Sequence, residues 1–148
     1  MCRRGRMDIS YYTINQTGRA MPRVCWKTAF FRVNAAIAAG ADAIYAGLGG
    51  FNARVSAHGF TDDEFARGCA VAHAHGVRVY VTLNVFVFDD ELSDAVALGA
   101  HALGLGADAL IVADAGLACA LRAAIPGVEI HLSTQAGVHS EGAVRLAT

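Results

Sequence analysis

From residue 35 onward the apolar positions of the chain switch between two periods, and the switches recur at a regular spacing. Phe65, Cys69 and Ala72 fall three and four residues apart, the period of a helix face. Val77, Val79, Val81 and Leu83 alternate with Arg78, Tyr80, Thr82 and Asn84, the period of a strand. Ile130, Leu132 and Thr134 alternate in the same way with His131, Ser133 and Gln135. Gly-Ala-Asp-Ala, followed by apolar residues, occurs at Gly40 and again at Gly106, an offset of 66 residues or two units of 33. Helix, glycine and short strand, repeated in this order, predict βα units around a parallel sheet. Four strands are expected near 43–47, 77–84, 109–113 and 129–134, parallel, in sequence order and joined by right-handed helical crossovers.

The helices carry stop and start signals. Thr61-Asp-Asp-Glu64 reads as a capping box, with Gly76 ending the helix it opens. Asp89-Asp-Glu91 opens the next helix, which runs toward Gly104 or Gly106. Asp114 or Ala115 begins a third, closed by Pro126, and Ser140-Glu141 begins a fourth. The chain stops within about two turns of that last start. The fold class expected is therefore α/β, a partial (β/α) barrel of TIM type truncated at the C-terminus. Residues 35–148 form its N-terminal half, and the C-terminal half of the barrel is a missing partner. Open sheet edges in such a half-barrel favour self-association, and the chain alone is expected to be inactive.

Charge changes the picture at the N-terminus. Residues 1–34 hold seven basic residues and one acid, a balance of +6, whereas residues 35–148 hold five basic and twelve acidic residues, a balance of −7. The first segment lacks periodicity and contains Met7 and Met21 as later starts, so it reads as an irregular, non-native extension. Across the whole chain 55% of residues are apolar and 17% charged, which supports one modest domain and argues against disorder. The most apolar window, 109–125, is broken by Asp114 and Arg122 and falls short of the ~20 residues of a membrane span. No secretory leader is recognisable, and a cytoplasmic location is expected. The cysteines at 2, 25, 69 and 119 form no metal-ligand spacing, and Cys69 and Cys119 read as small buried hydrophobes.

Candidate chemistry gathers at strand ends, because barrel enzymes build their sites from the loops at the C-terminal ends of the strands. Asn84 ends a strand, where an amide serves either a substrate or the following turn. Asn52 and Arg54 follow Gly49-Gly50, and an arginine beside a glycine loop suits an anionic group or a surface ion pair. Asp114 is a mouth carboxylate or the N-cap of its helix, the cap being the stronger reading. His131 has no partner at metal spacing and reads first as a packed, hydrogen-bonded histidine. Ser133 lacks the Gly-x-Ser-x-Gly elbow of a hydrolase nucleophile. Tyr45, Asn84, Ser133 and Gln135 share the polar registers of their strands and are expected to converge on the concave face. No dinucleotide fingerprint and no metal cluster is present, and the sequence identifies no catalytic residue.

Several strings together carry a resemblance. Gly76-Val-Arg-Val-Tyr-Val-Thr-Leu-Asn84, Ala107-Asp-Ala-Leu-Ile-Val-Ala-Asp114 and Ile130-His-Leu-Ser-Thr-Gln135, with Phe60-Thr-Asp-Asp-Glu-Phe65 before them, are similar to the peptidase U32 family. That family comprises collagenase-like proteases and their RNA-modifying relatives. The resemblance implies a β/α barrel and a hydrolase acting on peptide, a collagenase-like protease. The alternatives are a member of the hydroxylase branch, acting on RNA or quinone precursors, and a non-catalytic barrel fragment. It implies a peptide or RNA substrate for the full-length protein, and for the hydroxylase branch an iron–sulfur cluster whose cysteine ligands lie beyond Thr148.

Overall fold

The computed structural model describes residues 13–14, 29–53 and 60–142. In chain order these form β1 (Thr13–Ile14), α1 (Ala29–Ala38), β2 (Ala43–Gly47), α2 (Asp62–Ala74), β3 (Arg78–Leu83), α3 (Leu92–Gly104), β4 (Ala109–Val112), α4 (Ala115–Ala124) and β5 (Ile130–Leu132), with a 3₁₀ turn over Thr134–Ala136. The strands make one sheet in the order β1-β2-β3-β4-β5. β2 to β5 are parallel throughout, as the repeat predicts, whereas the two-residue β1 lies antiparallel on β2 with Thr13 opposite Ile44. The four βα-type strands and their helices give a partial α/β barrel of TIM type.

The 33-residue period has a local cause. Each of the first three helices ends in the same two hydrogen bonds. Gly40, Gly76 and Gly106 donate to Ile37, His73 and Leu103, and the next residues, Ala41, Val77 and Ala107, donate to Ala36, Ala72 and Ala102. That double bond is the Schellman stop, which needs a residue at positive φ. The three glycines supply it, at 79°, 71° and 109°. Ala41, Val77 and Ala107 are buried, so each stop also pins the chain to the core before the strand begins. At the other end of α2, the Thr61 hydroxyl accepts from the Glu64 N–H while the Glu64 carboxylate accepts from the Thr61 N–H, completing the capping box.

One face of each strand packs on the helices. Ile44, Ala46, Val79, Val81, Leu83, Leu110 and Val112 join Phe65, Cys69, Leu117 and Leu121 in a single apolar cluster. Small residues on the helices let them sit close to the sheet. A Cβ on Gly99 of α3 would lie 2.8 Å from Leu121 Cδ2 and 3.1 Å from Leu110 Cδ1. Glycine to alanine inside a helix ordinarily gains up to ~1 kcal/mol. Here crowding of fully buried leucines costs about 1–3 kcal/mol. Gly99→Ala is therefore expected to lower the chemical-denaturation midpoint, and a raised midpoint would contradict this packing.

Three expectations need correction. β5 stops at Leu132 rather than running on to Thr134, because Ser133 turns the chain into the 3₁₀ segment. Cys119 is exposed on α4, while Cys69 is buried as expected. α1 starts at Ala29 and crosses the 34/35 boundary, so 29–34 is helical rather than part of an irregular tail. Glu141 and Gly142 are helical, where the fourth helix is expected to begin. Among the described residues no helix is long and apolar enough to cross a membrane.

Candidate functional site

On the sheet face opposite the helices the larger side chains, such as Tyr45, Tyr80, Thr82, Ile111 and His131, are only partly buried. They form layers, because residues in register on neighbouring parallel strands project side by side. The uppermost layer follows the strands' C-terminal ends, where three loops meet. After β2, Gly47 lies so close to Asn52 that a Cβ there would come within 2.8 Å of the Asn52 Cγ and Nδ2. Asn52 is buried, and its Nδ2 donates to the Gly49 carbonyl at 2.9 Å. Gly49 adopts φ 65° and sits against Leu98 of α3, so the glycine loop is fixed by backbone and core together.

Asn84 joins the three loops. Its Oδ1 accepts from the Ala53 N–H at 3.1 Å, and its Nδ2 donates to the Gln135 Oε1 at 3.1 Å. This link passes over β4, where the buried Ala113 follows the strand and leaves room. Gln135 is held in turn, its N–H donating to the Ser133 Oγ at 3.2 Å. Ser133 donates its own N–H to the Val112 carbonyl at 2.8 Å. The result is a continuous chain of amides and a hydroxyl from the glycine loop to the 3₁₀ turn. Such a row offers paired donors and acceptors to a planar polar group.

Asn84, Ser133 and Gln135 thus come together. Tyr45 does not join them: it pairs with Tyr80, four residues before Asn84 and roughly 13 Å lower on the sheet. Asp114 serves as the N-cap of α4, its Oδ1 accepting from the Leu117 N–H at 2.8 Å. Arg54 lies outside the described residues. Two phenylalanines on the loop after β3, Phe86 and Phe88, are 71% and 75% exposed.

Below the amide row lies a charged cluster. The Glu129 carboxylate accepts from Arg78 at 2.6 Å and pairs with the His131 Nε2 at 2.8 Å. The Tyr80 ring packs between them, 4.8 Å from the His131 ring and 5.2 Å under the Arg78 guanidinium. Arg78, Tyr80 and Glu129 were not among the candidates read from the sequence. The signal was present: Arg78 and Tyr80 share the polar register of Asn84, and Glu129 stands two residues before His131 on the same face. Hydrogen bonds from Arg78, and then from His131, hold the Glu129 carboxyl at about 2, against an ordinary 4.5. A depressed carboxyl adds stability above its ordinary value and loses it as pH falls through the folded one. The melting-temperature gap between the unsubstituted chain and Glu129→Gln should therefore shrink between pH 4.5 and about 2. The pair is exposed, so salt should narrow the gap at every pH. A gap independent of pH would show that the pair contributes nothing.

Iron–sulfur clusters are held by cysteine thiolates. Among the described residues Cys69 is buried with its thiol pushed up to about 11, first by desolvation, and no group of three or more His, Cys, Asp or Glu is placed to hold a metal. These residues do not fit such a cluster.

The family described as peptidase family U32 matches this chain over residues 29–148. The chain is 42% identical over 105 residues to the 23S rRNA 5-hydroxycytidine C2501 synthase of Escherichia coli, a match covering 71% of this chain and 16% of that protein. It is 34% identical over 112 residues to a collagenase of Porphyromonas gingivalis, covering 75% of this chain and 27% of that protein. Against tRNA hydroxylation protein P of Escherichia coli the identity is 37% over 101 residues, covering 68% of this chain and 22% of that protein. The chain spans roughly a sixth to a quarter of the length of these relatives.

Proposed function

Because the chain belongs to peptidase family U32, we propose that it is the substrate-contacting N-terminal part of a barrel enzyme that hydroxylates RNA. The observation that carries this reading is the Asn84–Gln135 amide pair, stretched between two mouth loops. Side-chain amides read the donor and acceptor edges of nucleobases, which single-stranded RNA presents unstacked. The similarity to the rRNA hydroxycytidine synthase and to the tRNA hydroxylation protein supports the same substrate class. The collagenase supports a peptidase reading. That reading calls for an activated nucleophile, and the Ser133 hydroxyl is engaged in capping the 3₁₀ turn.

The test is nucleoside mass spectrometry on rRNA and tRNA from cells with and without the gene. One hydroxylated nucleoside should vanish on deletion and return with the unsubstituted gene but not with Asn84→Ala. An unchanged nucleoside profile, with cleavage of collagen peptides by the purified protein, would replace this reading with the peptidase one.

The rest of the barrel is the expected structural partner, and the cytoplasm the expected location. Beyond β5 no strand pairs among the described residues, and Leu132 on that strand is 40% exposed. The isolated chain should therefore self-associate through this edge. Elution at monomer size across a range of concentrations would refute this.

A further inference from the structure

His131 lies one layer below Ser133, on the face shared by the amide row, and its ring is fixed from two sides. Tyr80 packs against it with centroids 4.8 Å apart and planes tilted by 39°, and Glu129 holds its Nε2 at 2.8 Å. The charged and titratable groups around it are Glu129, just before its own strand β5, and Arg78 and Tyr80 on β3. β4, between them, places the apolar Ile111 in register with His131.

The chemistry of this pair assigns the proton. An ionised carboxylate has no hydrogen to donate, so the ring nitrogen facing it must carry one in both the neutral and the charged imidazole. Arg78 secures that ionised state by its own hydrogen bond to Glu129. Nε2 is therefore the protonated nitrogen, and Nδ1 is the atom that gains or loses a proton. Nδ1 has no hydrogen-bond partner among the described residues, and the side chain is 40% exposed.

From this arrangement we infer that His131 is the proton acceptor of the site, taking through Nδ1 the hydrogen of an N–H or O–H group on a ligand bound beneath the Asn84–Gln135 pair. The N–H or O–H bond breaks, its electron pair stays on the ligand atom, and the proton passes to Nδ1. The imidazolium so formed keeps its Nε2–H on Glu129, which compensates the new charge. Glu129 and Arg78 are positioning residues: they set the tautomer and touch no substrate. The ligand class is a nucleobase, and that part alone rests on the RNA reading above.

The test begins with the whole 148-residue chain, labelled with ¹⁵N-histidine, with His131 identified by the signals lost in His131→Gln. At alkaline pH, Nε2 should carry the hydrogen and Nδ1 should be bare. Acidification should protonate Nδ1, and Glu129→Ala should populate both tautomers. A hydrogen on Nδ1 in the unsubstituted chain, or a tautomer unchanged by Glu129→Ala, would overturn the assignment. In the longer protein, with total rRNA and tRNA as the substrate, His131→Gln should lower kcat by at least ~100-fold with KM little changed. His73→Gln, at a surface pair with Asp108, should leave the rate as it is. Full rate in His131→Gln would overturn the catalytic role. An unsubstituted protein inactive on RNA would instead refute the RNA reading, leaving the tautomer to decide the inference.

Discussion

Leu110→Ala should destabilise the chain by about 3–4 kcal/mol, within the range of large-to-small substitutions at fully buried sites. Leu110 has no exposed surface and stands on β4, bonded to β3 on one side and β5 on the other. Its Cδ1 lies close to Gly99 of α3, in a corner completed by Leu83 and Leu121. That corner resists collapse. The strands are tied in register on both sides, and Gly99 has no side chain with which to fill a void. A cavity therefore persists, and its cost adds to the lost transfer energy. Against the 5–15 kcal/mol of a typical domain this is a large fraction. Urea unfolding should show a lower midpoint with little change in slope. Leu132→Ala is the internal comparison: it lies on the same sheet face at 40% exposure and should cost under about 1 kcal/mol. Equal costs at the two positions would mean that the core does not sit between β4 and the pair α3 and α4.

The parallel order of β2 to β5 could be read from the sequence because it rests on local rules. Gly40, Gly76 and Gly106 each stop a helix, the next residue is buried, and a short strand with buried apolar residues follows. Every step depends on residues within one unit, so repetition makes it visible. The helix-facing register could be read for the same reason, since Val79, Val81 and Leu83 alternate strictly and all are buried. What could not be read depended on stagger between strands. Tyr45 shares the polar register of Asn84, but alternation says nothing about height, and β2 pairs so that Tyr45 faces Tyr80. Gln135 reaches the mouth for a reason other than the one alternation gives. The strand ends at Leu132, and a 3₁₀ turn carries Gln135 toward Asn84. Alternation places Glu129 on the face of His131, but its pairing with Arg78, 51 residues away, is not legible in the sequence. Only the register of β3, β4 and β5 brings the two together.

Gly47→Ala should loosen the mouth, weakening the RNA binding proposed above by about tenfold or more while costing about 2 kcal/mol in stability. The added Cβ would stand 2.8 Å from the Asn52 Cγ and Nδ2 and 3.0 Å from its Oδ1. Backbone strain is not the cause, because Gly47 lies within β2 and is not among the glycines with positive φ. The obstacle is the buried amide above it. Asn52 must leave, and its bond to the Gly49 carbonyl goes with it. The loop that then shifts carries Ala53, whose N–H orients Asn84. One methyl group thus acts through three contacts on the amide pair proposed to meet the base. Removing the obstacle gives the control. Asn52→Gly alone loses the bond to Gly49, and the double variant Gly47→Ala/Asn52→Gly should be little worse than that single one. The two substitutions should therefore be strongly non-additive, as expected for groups in contact. The cycle is to be measured both by urea unfolding and by RNA affinity. Additive losses would mean that Gly47 and Asn52 act independently, and that the glycine loop does not set the position of Asn84.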